Sequence, residues 1–211
     1  IVWDTEVENV EYEDGELRHA SDTELRMGFK EAAGMMARTG GPVVGRANIN
    51  PTGQGGSYSA NIVDVEIDPE TGKIDLLRYT AIQDVGTAVH IDNVEGQMQG
   101  AIVQGISNTI FEQFIYDENG QQLTADLENY KLATAADVPD MLITHAPTPC
   151  PHTPLGTRGI GEGRPSDVPG TISNAVCDAL SPFGIEVTEL PLRPNMIWRL
   201  IEKAKAKQAA D

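Results

Sequence analysis

The sequence predicts an α+β fold in which a long β-hairpin, part of a mixed or antiparallel sheet, packs against helices. Three observations carry this. Two β-branched runs, Tyr58 to Ile67 and Ile74 to Ile82, flank the turn Asp68-Pro69-Glu70-Thr71-Gly72. An apolar stripe of Val94, Met98, Ile102, Ile106, Ile110 and Phe114 recurs every fourth residue. A second stripe, Val168, Ile172, Ala175, Val176 and Ala179, follows a glycine-rich turn. The runs suit a pleated, half-buried surface joined by turn chemistry. The stripes read as helix faces directed at a core.

The other elements follow from local signals. Val7, Val10 and Tyr12 before Asp14-Gly15, with Leu17 after it, predict a first hairpin. Ser21 and Glu24 form a capping-box pattern, which predicts a helix from Asp22 to Arg38 with Leu25, Phe29, Ala32, Ala33 and Met36 on one face. Gly40-Gly41-Pro42 would end it. Asp92 is the expected N-cap of a helix running to Phe114, on which Gln97, Gln104 and Asn108 share a second face. Gly96, Gly100 and Gly105 lie in its interior, where each costs about 1 kcal/mol relative to alanine. Either another backbone or a ligand comes close there, or the helix packs tightly on the sheet with its amides in solvent. Asp117-Glu118-Asn119-Gly120 predicts a tight turn, Met141 to His145 a strand, and Lys203, Lys205 and Lys207 the end of a last helix. The expected organisation is a strand–turn–strand and helix over residues 1–45 and a larger part over 46–211.

The net charge of −17 argues against a phosphate-neutralising surface and against anionic membranes. No apolar run approaches the roughly 20 residues of a membrane helix. No nucleic-acid partner and no membrane insertion are therefore expected. Ile1 rather than methionine opens the chain, so a preceding segment is expected. Cys150 and Cys177 form no CxxC pattern, and reduced thiols predict a cytoplasmic location, with the periplasm left open.

Chemistry concentrates in Gly159-Ile160-Gly161-Glu162-Gly163-Arg164-Pro165. Glycines let the backbone take positive φ and let a ligand come close. A helix opened by Ser166, Asp167 and Pro169 would set free N–H groups and a positive dipole end beside Glu162. Glu162 is thus a candidate general base. A surface carboxylate in a glycine-rich loop has the same signature.

Three motifs stand in order: Gln83-Asp84-Val85-Gly86; then Val94-Glu95-Gly96-Gln97-Met98-Gln99-Gly100-Ala101-Ile102-Val103-Gln104-Gly105; then Gly159-Ile160-Gly161-Glu162. With the Asp68–Gly72 turn before them and Glu189-Leu190-Pro191-Leu192 after, the chain resembles the C-terminal part of the molybdopterin-binding large subunit of the xanthine dehydrogenase family. That family includes aldehyde oxidoreductases and carbon monoxide dehydrogenases. The resemblance runs from about Gly41 to Lys203 and is weaker before that.

It implies the fold of the second molybdenum-cofactor-binding domain, and oxidation of an aldehyde, N-heterocycle or similar substrate with water as oxygen source. Glu162 would be the base that takes a proton from the metal-bound hydroxyl, and Gln97 matches the glutamine that hydrogen-bonds the pterin. Gly96, Gly100, Gly161, Gly163 and Ser166 would complete the cofactor contacts, with no protein ligand to the metal. The implied cofactor is molybdenum–molybdopterin, with the cytosine dinucleotide form open. The implied partners are the missing N-terminal half of the subunit and subunits carrying [2Fe–2S] and FAD. Arg158 stands in place of the usual lysine, Arg164 and Ser166 in place of prolines or small residues, and Ile91-Asp92 in place of Asn-Pro. These departures bear on cofactor contact and the substrate side. The alternative is a non-catalytic scaffold that retains the fold; a third reading is a hydrolase pairing Glu162 with Asp84 or Asp167.

Overall fold

The computed structural model describes residues 2–38, 40–41, 44–48, 50, 53, 55–161 and 166–209. They fall into two compact units, Ile1–Asn50 and Pro51–Asp211.

The first unit is a three-stranded antiparallel sheet, β1 (Val10–Glu13), β2 (Glu16–His19) and β3 (Arg26–Gly28), followed by the short helix α1 (Phe29–Met35). Asp14 and Gly15 both take positive φ, 50° and 80°, as a two-residue hairpin turn requires. The helix expected from Asp22 begins only at Phe29. Strand pairing overrides the capping box: Met27 stands opposite Leu17 and is buried. The would-be cap folds back on β2 instead. His19 Nδ1 accepts the N–H groups of Ser21 (3.3 Å) and Asp22 (3.1 Å), while the His19 N–H donates to Leu25 O (3.0 Å).

In the second unit, β4 (Tyr58–Ile67) and β5 (Ile74–Asp84) form the expected hairpin, with a bulge at Asp64/Val65. Asp68 builds the turn, accepting from Glu70 N–H (2.9 Å) and Thr71 Oγ1 (2.7 Å). Gly72 has φ +74°, and a Cβ there would strike the Pro194 carbonyl. The hairpin tip therefore sits against the start of the last helix. β6 (Asp140–His145) pairs with β5 in parallel, Gln83 opposite His145, so the sheet is mixed with order β4-β5-β6.

Helices α2 (Ile91–Ile110), α3 (Val168–Ala179) and α4 (Pro194–Gln208) supply the rest of the core. Met98, Ile102 and Ile106 of α2 are fully buried with Ile172 and Val176 of α3, Ile197 and Ile201 of α4, and Tyr79 and Ala81 of β5. The cap of α2 is His90, whose Nδ1 accepts from the Asn93 N–H (3.3 Å), not Asp92. The helix also closes earlier than expected, because the N–H groups of Phe111 and Glu112 both donate to Ser107 O. Phe114 lies beyond it, 62% exposed, with its ring 5.2 Å from that of Tyr130. Ala179 of the second stripe is exposed as well. Among the described residues, no helix is long and apolar enough to cross a membrane.

The three glycines of α2 separate into two kinds. Gly105 is buried against Val168, and a Cβ on it would run into that side chain. Gly96 and Gly100 face open space. Gly105→Ala should destabilise the chain, since overpacking costs about 1–3 kcal/mol and outweighs the roughly 1 kcal/mol gained in helix propensity. Gly100→Ala should stabilise it by up to about 1 kcal/mol. Urea titration of the two variants reads both signs, and equal shifts would contradict this division.

Candidate functional site

The site begins where β5 ends. Asp84 is nearly buried, and its Oδ1 accepts the N–H groups of Gly86 (2.8 Å) and Thr148 (3.1 Å). Gly86 has φ +63°, and a Cβ there would strike Gly156 O. This close approach lets residues 85–87 pair with 156–158. Arg158 N–H donates to Val85 O (2.8 Å), and Gly156 O accepts from Thr87 N–H and Cys150 N–H, both at 2.9 Å. Arg158 turns its guanidinium inward. Its Nε donates to Thr148 O (3.0 Å) and lies 3.8 Å from Asp84 Oδ1, its Nη1 donates to Gly56 O, and its Cζ stands 5.9 Å over the Tyr58 ring.

The junction delivers residues 159–161 to the first turns of α2. There Gln97 Nε2 donates to Gly161 O at 3.4 Å, a long and weak bond. Between them lies a groove of about 390 Å³, walled by Val85, Thr87, His90, Asn93, Gln97 and Ile160. Its polar side chains are the Thr87 and Thr157 hydroxyls, the His90 imidazole, the Asn93 and Gln97 amides and the Arg158 guanidinium.

Of the residues singled out from the sequence, the fold brings Gln97 and Gly161 together. Gly96 and Gly100 lie beside Gln97 on the exposed face of α2, with nothing within 4 Å of an added Cβ. Ser166 is exposed in the turn before α3. Glu162 and Gly163 lie outside the described residues, as do Arg164 and Pro165. Asp84, one of the two carboxylates considered as a partner for Glu162, has its Oδ1 taken up by two backbone donors. Sequence reasoning missed His90 and Asn93 as groove residues. The only signal for them was their position between the Asp84–Gly86 motif and the α2 stripe.

Comparison with known proteins names the kind of domain to which this groove belongs. Residues 1–139 match the molybdopterin cofactor-binding domain family, well over half of the chain. The chain belongs to that family, within the molybdenum-binding large subunits of the xanthine dehydrogenase family of oxidoreductases. It is 38% identical over 143 residues to the nicotine 6-hydroxylase large subunit of Paenarthrobacter nicotinovorans, covering 68% of this chain and 18% of that protein. It is 30% identical over 139 residues to the carbon monoxide dehydrogenase large chain of Hydrogenophaga pseudoflava, covering 66% and 17%. Among solved structures, quinoline 2-oxidoreductase from Pseudomonas putida 86 superposes with a TM-score of 0.81 at 31% identity, over 96% of this chain and 27% of that one. The chain thus spans less than a fifth of the length of these two curated relatives.

The residues present fit one face of such a cofactor. Gly96 and Gly100 leave the α2 backbone open to a flat ring, and the Gln97 amide between them offers both a donor and an acceptor to its polar edge.

The backbone N–H of Gly86 holds the Asp84 carboxyl below the ordinary carboxylate range, helped by Thr148 and by the Arg158 charge and opposed by burial. A lowered folded-state pKa means stability present above the unfolded value and lost as pH falls through the folded one. The destabilisation caused by Asp84→Asn should be largest near neutrality and shrink below about pH 4. Urea titrations across that range check this; a difference independent of pH would contradict it.

Proposed function

We propose that this chain is the C-terminal portion of the large subunit of a molybdenum hydroxylase, with Glu162 as the base at its reaction centre. One observation carries the reading: α2 presents a bare, glycine-flanked amide face that meets the chain at Gly161, the residue before Glu162. Nicotine and quinoline, the compounds in the names of two relatives, are nitrogen heteroaromatics, which favours an N-heterocycle over an aldehyde as substrate class.

When bound, the molybdenum cofactor would supply the two-electron redox centre and the water-derived oxygen. The chain's own groups do the rest. Gln97 orients the polar edge of the cofactor, and Gly96 and Gly100 let the ring lie against the helix. Gly161 and Gly163 contribute backbone groups and Ser166 a hydroxyl on the side of the turn. A Glu162 carboxylate oxygen takes up the proton released as the oxygen is transferred, in the role of general base. The opposite wall would come from the preceding part of the same subunit, and [2Fe–2S] and FAD partners would carry electrons away. The cytosine dinucleotide form of the cofactor completes this reading. The free thiols of Cys150 and Cys177 suit the cytoplasm.

Glu162→Gln in the assembled enzyme should lower turnover by at least about 100-fold with molybdenum content unchanged. Activity within roughly tenfold of the parent would remove Glu162 from the base role and favour a scaffold. The isolated chain, holding one wall of the site, should retain molybdenum far below stoichiometry. Metal analysis showing near-equivalence would contradict that division of the site.

A further inference from the structure

His145 ends strand β6 with an imidazole whose two nitrogens have unequal surroundings. Its Nε2 lies 3.2 Å from Glu95 Oε1 on α2, in a part-buried contact. Its Nδ1 is buried and has no hydrogen-bond partner. An ionised carboxylate only accepts, which assigns the ring proton to Nε2 and makes it the donor to Glu95. The result is a charge-assisted hydrogen bond between strand and helix. A ring that leaves one buried nitrogen unsatisfied in order to reach a carboxylate on another element calls for an explanation.

The position of both partners supplies one. After His145, Ala146 donates its N–H to Gln83 O (2.9 Å) and Thr148 donates its N–H to Asp84 Oδ1 (3.1 Å). His145 thus heads the segment that is stitched into the junction at Asp84. Glu95, for its part, precedes Gln97 by two residues on α2. Each helical residue advances about 100°, so Glu95 and Gln97 flank the buried Val94 and Met98 on opposite sides, roughly 80° each way. Apolar contacts along that stripe are non-directional and fix the roll of the helix about its axis only weakly. A directional bond on one flank sets that roll, and with it the approach of the other flank to residues 159–161. The bond from Gln97 Nε2 to Gly161 O, at 3.4 Å, is too weak to do so alone. We propose that His145 and Glu95 are positioning residues for Gln97: their bond holds the first turns of α2 at the roll that presents this amide to the groove. This rests on the reading of Gln97 as a cofactor contact.

The test is a double-mutant cycle in the assembled enzyme, read as the rate of molybdenum loss during dialysis in dilute urea. Gln97→Ala should speed that loss about fivefold, the scale of one hydrogen bond. His145→Phe keeps a ring without the donor and should speed it about threefold to fivefold. In the Gln97→Ala background, His145→Phe should add less than about twofold, because the amide it orients is gone. His145→Gln restores an N–H donor in the place of Nε2 and should return the rate to within about twofold of the parent. Glu95→Ala should reproduce His145→Phe, and it carries the test if His145→Phe does not assemble. Amide hydrogen exchange of the peptide over residues 91–98, in cofactor-free enzyme, should speed at least about threefold in both variants. An equal effect of His145→Phe with and without Gln97 would mark a purely structural role and overturn the inference. Unchanged molybdenum loss or unchanged exchange in His145→Phe would overturn it too. Gln97→Ala separates the two ideas. If it speeds the loss while His145→Phe does not, only the positioning role fails. If it stays within about twofold of the parent, the reading of Gln97 as a cofactor contact fails.

Discussion

The close approach of Gly86 to Gly156 is the constraint on which the rest of the site depends. Both positions favour glycine: Gly86 has φ +63° and Gly156 φ +69°, and a Cβ on Gly86 would run into the Gly156 carbonyl. That carbonyl serves two N–H groups at once, from Thr87 and Cys150. Asp84 and Arg158 then lock the surroundings, one accepting backbone N–H groups and the other donating to backbone carbonyls. Without this junction the 159–161 segment would have no fixed relation to α2, and Gln97 would face solvent rather than Gly161.

A second close approach acts on helix α2 itself. Gly105 lets Val168 pack directly on the α2 backbone, which brings the start of α3 against α2. The two glycine contacts work in the same way: removing a Cβ allows a loop or helix start to be placed by backbone geometry and burial rather than by flexible side chains. Gly96 and Gly100 lie on the opposite face of that helix, where an added Cβ would meet none of the described residues within 4 Å. Helix α2 is thus structural on its apolar stripe and available on its glycine–amide face.

Much of this was legible in the sequence, for a physical reason. The β4–β5 hairpin and the core stripe of α2 are set by strong local periodicities, and the turn residues Asp68 and Gly72 act within their own loop. What was not legible depends on distant partners. The Ser21–Glu24 capping box is a valid helix start, but Met27 gains more by pairing with Leu17 and burying itself. Sequence alone could not tell Gly105, which meets Val168, from Gly96 and Gly100, which meet open space. The inward turn of Arg158 and the reach of Asp167 to Ser59 and Asn61 likewise appear only once β4 is in place. The motifs pointed to the family, and its match over residues 1–139 contains the first two of the three and also the first forty residues, where the resemblance was expected to be weaker.

The strength of each bond follows from what it has to do. Bonds that build the junction are short and buried or partly buried, from 2.8 to 3.1 Å at Asp84. The bond that closes the groove, from Gln97 to Gly161, is 3.4 Å long and exposed. A buried, short network resists exchange with solvent, because each group left unsatisfied would cost about 1–3 kcal/mol. An exposed amide with one weak bond gives it up readily, since water or a ligand offers an equal partner. In a chain with net charge −17, a groove lined by amide, hydroxyl, imidazole and guanidinium groups lets a polar ring bind without bringing further carboxylates to it. A rigid junction that carries an easily exchanged amide is the arrangement expected of a wall built to be completed by a cofactor.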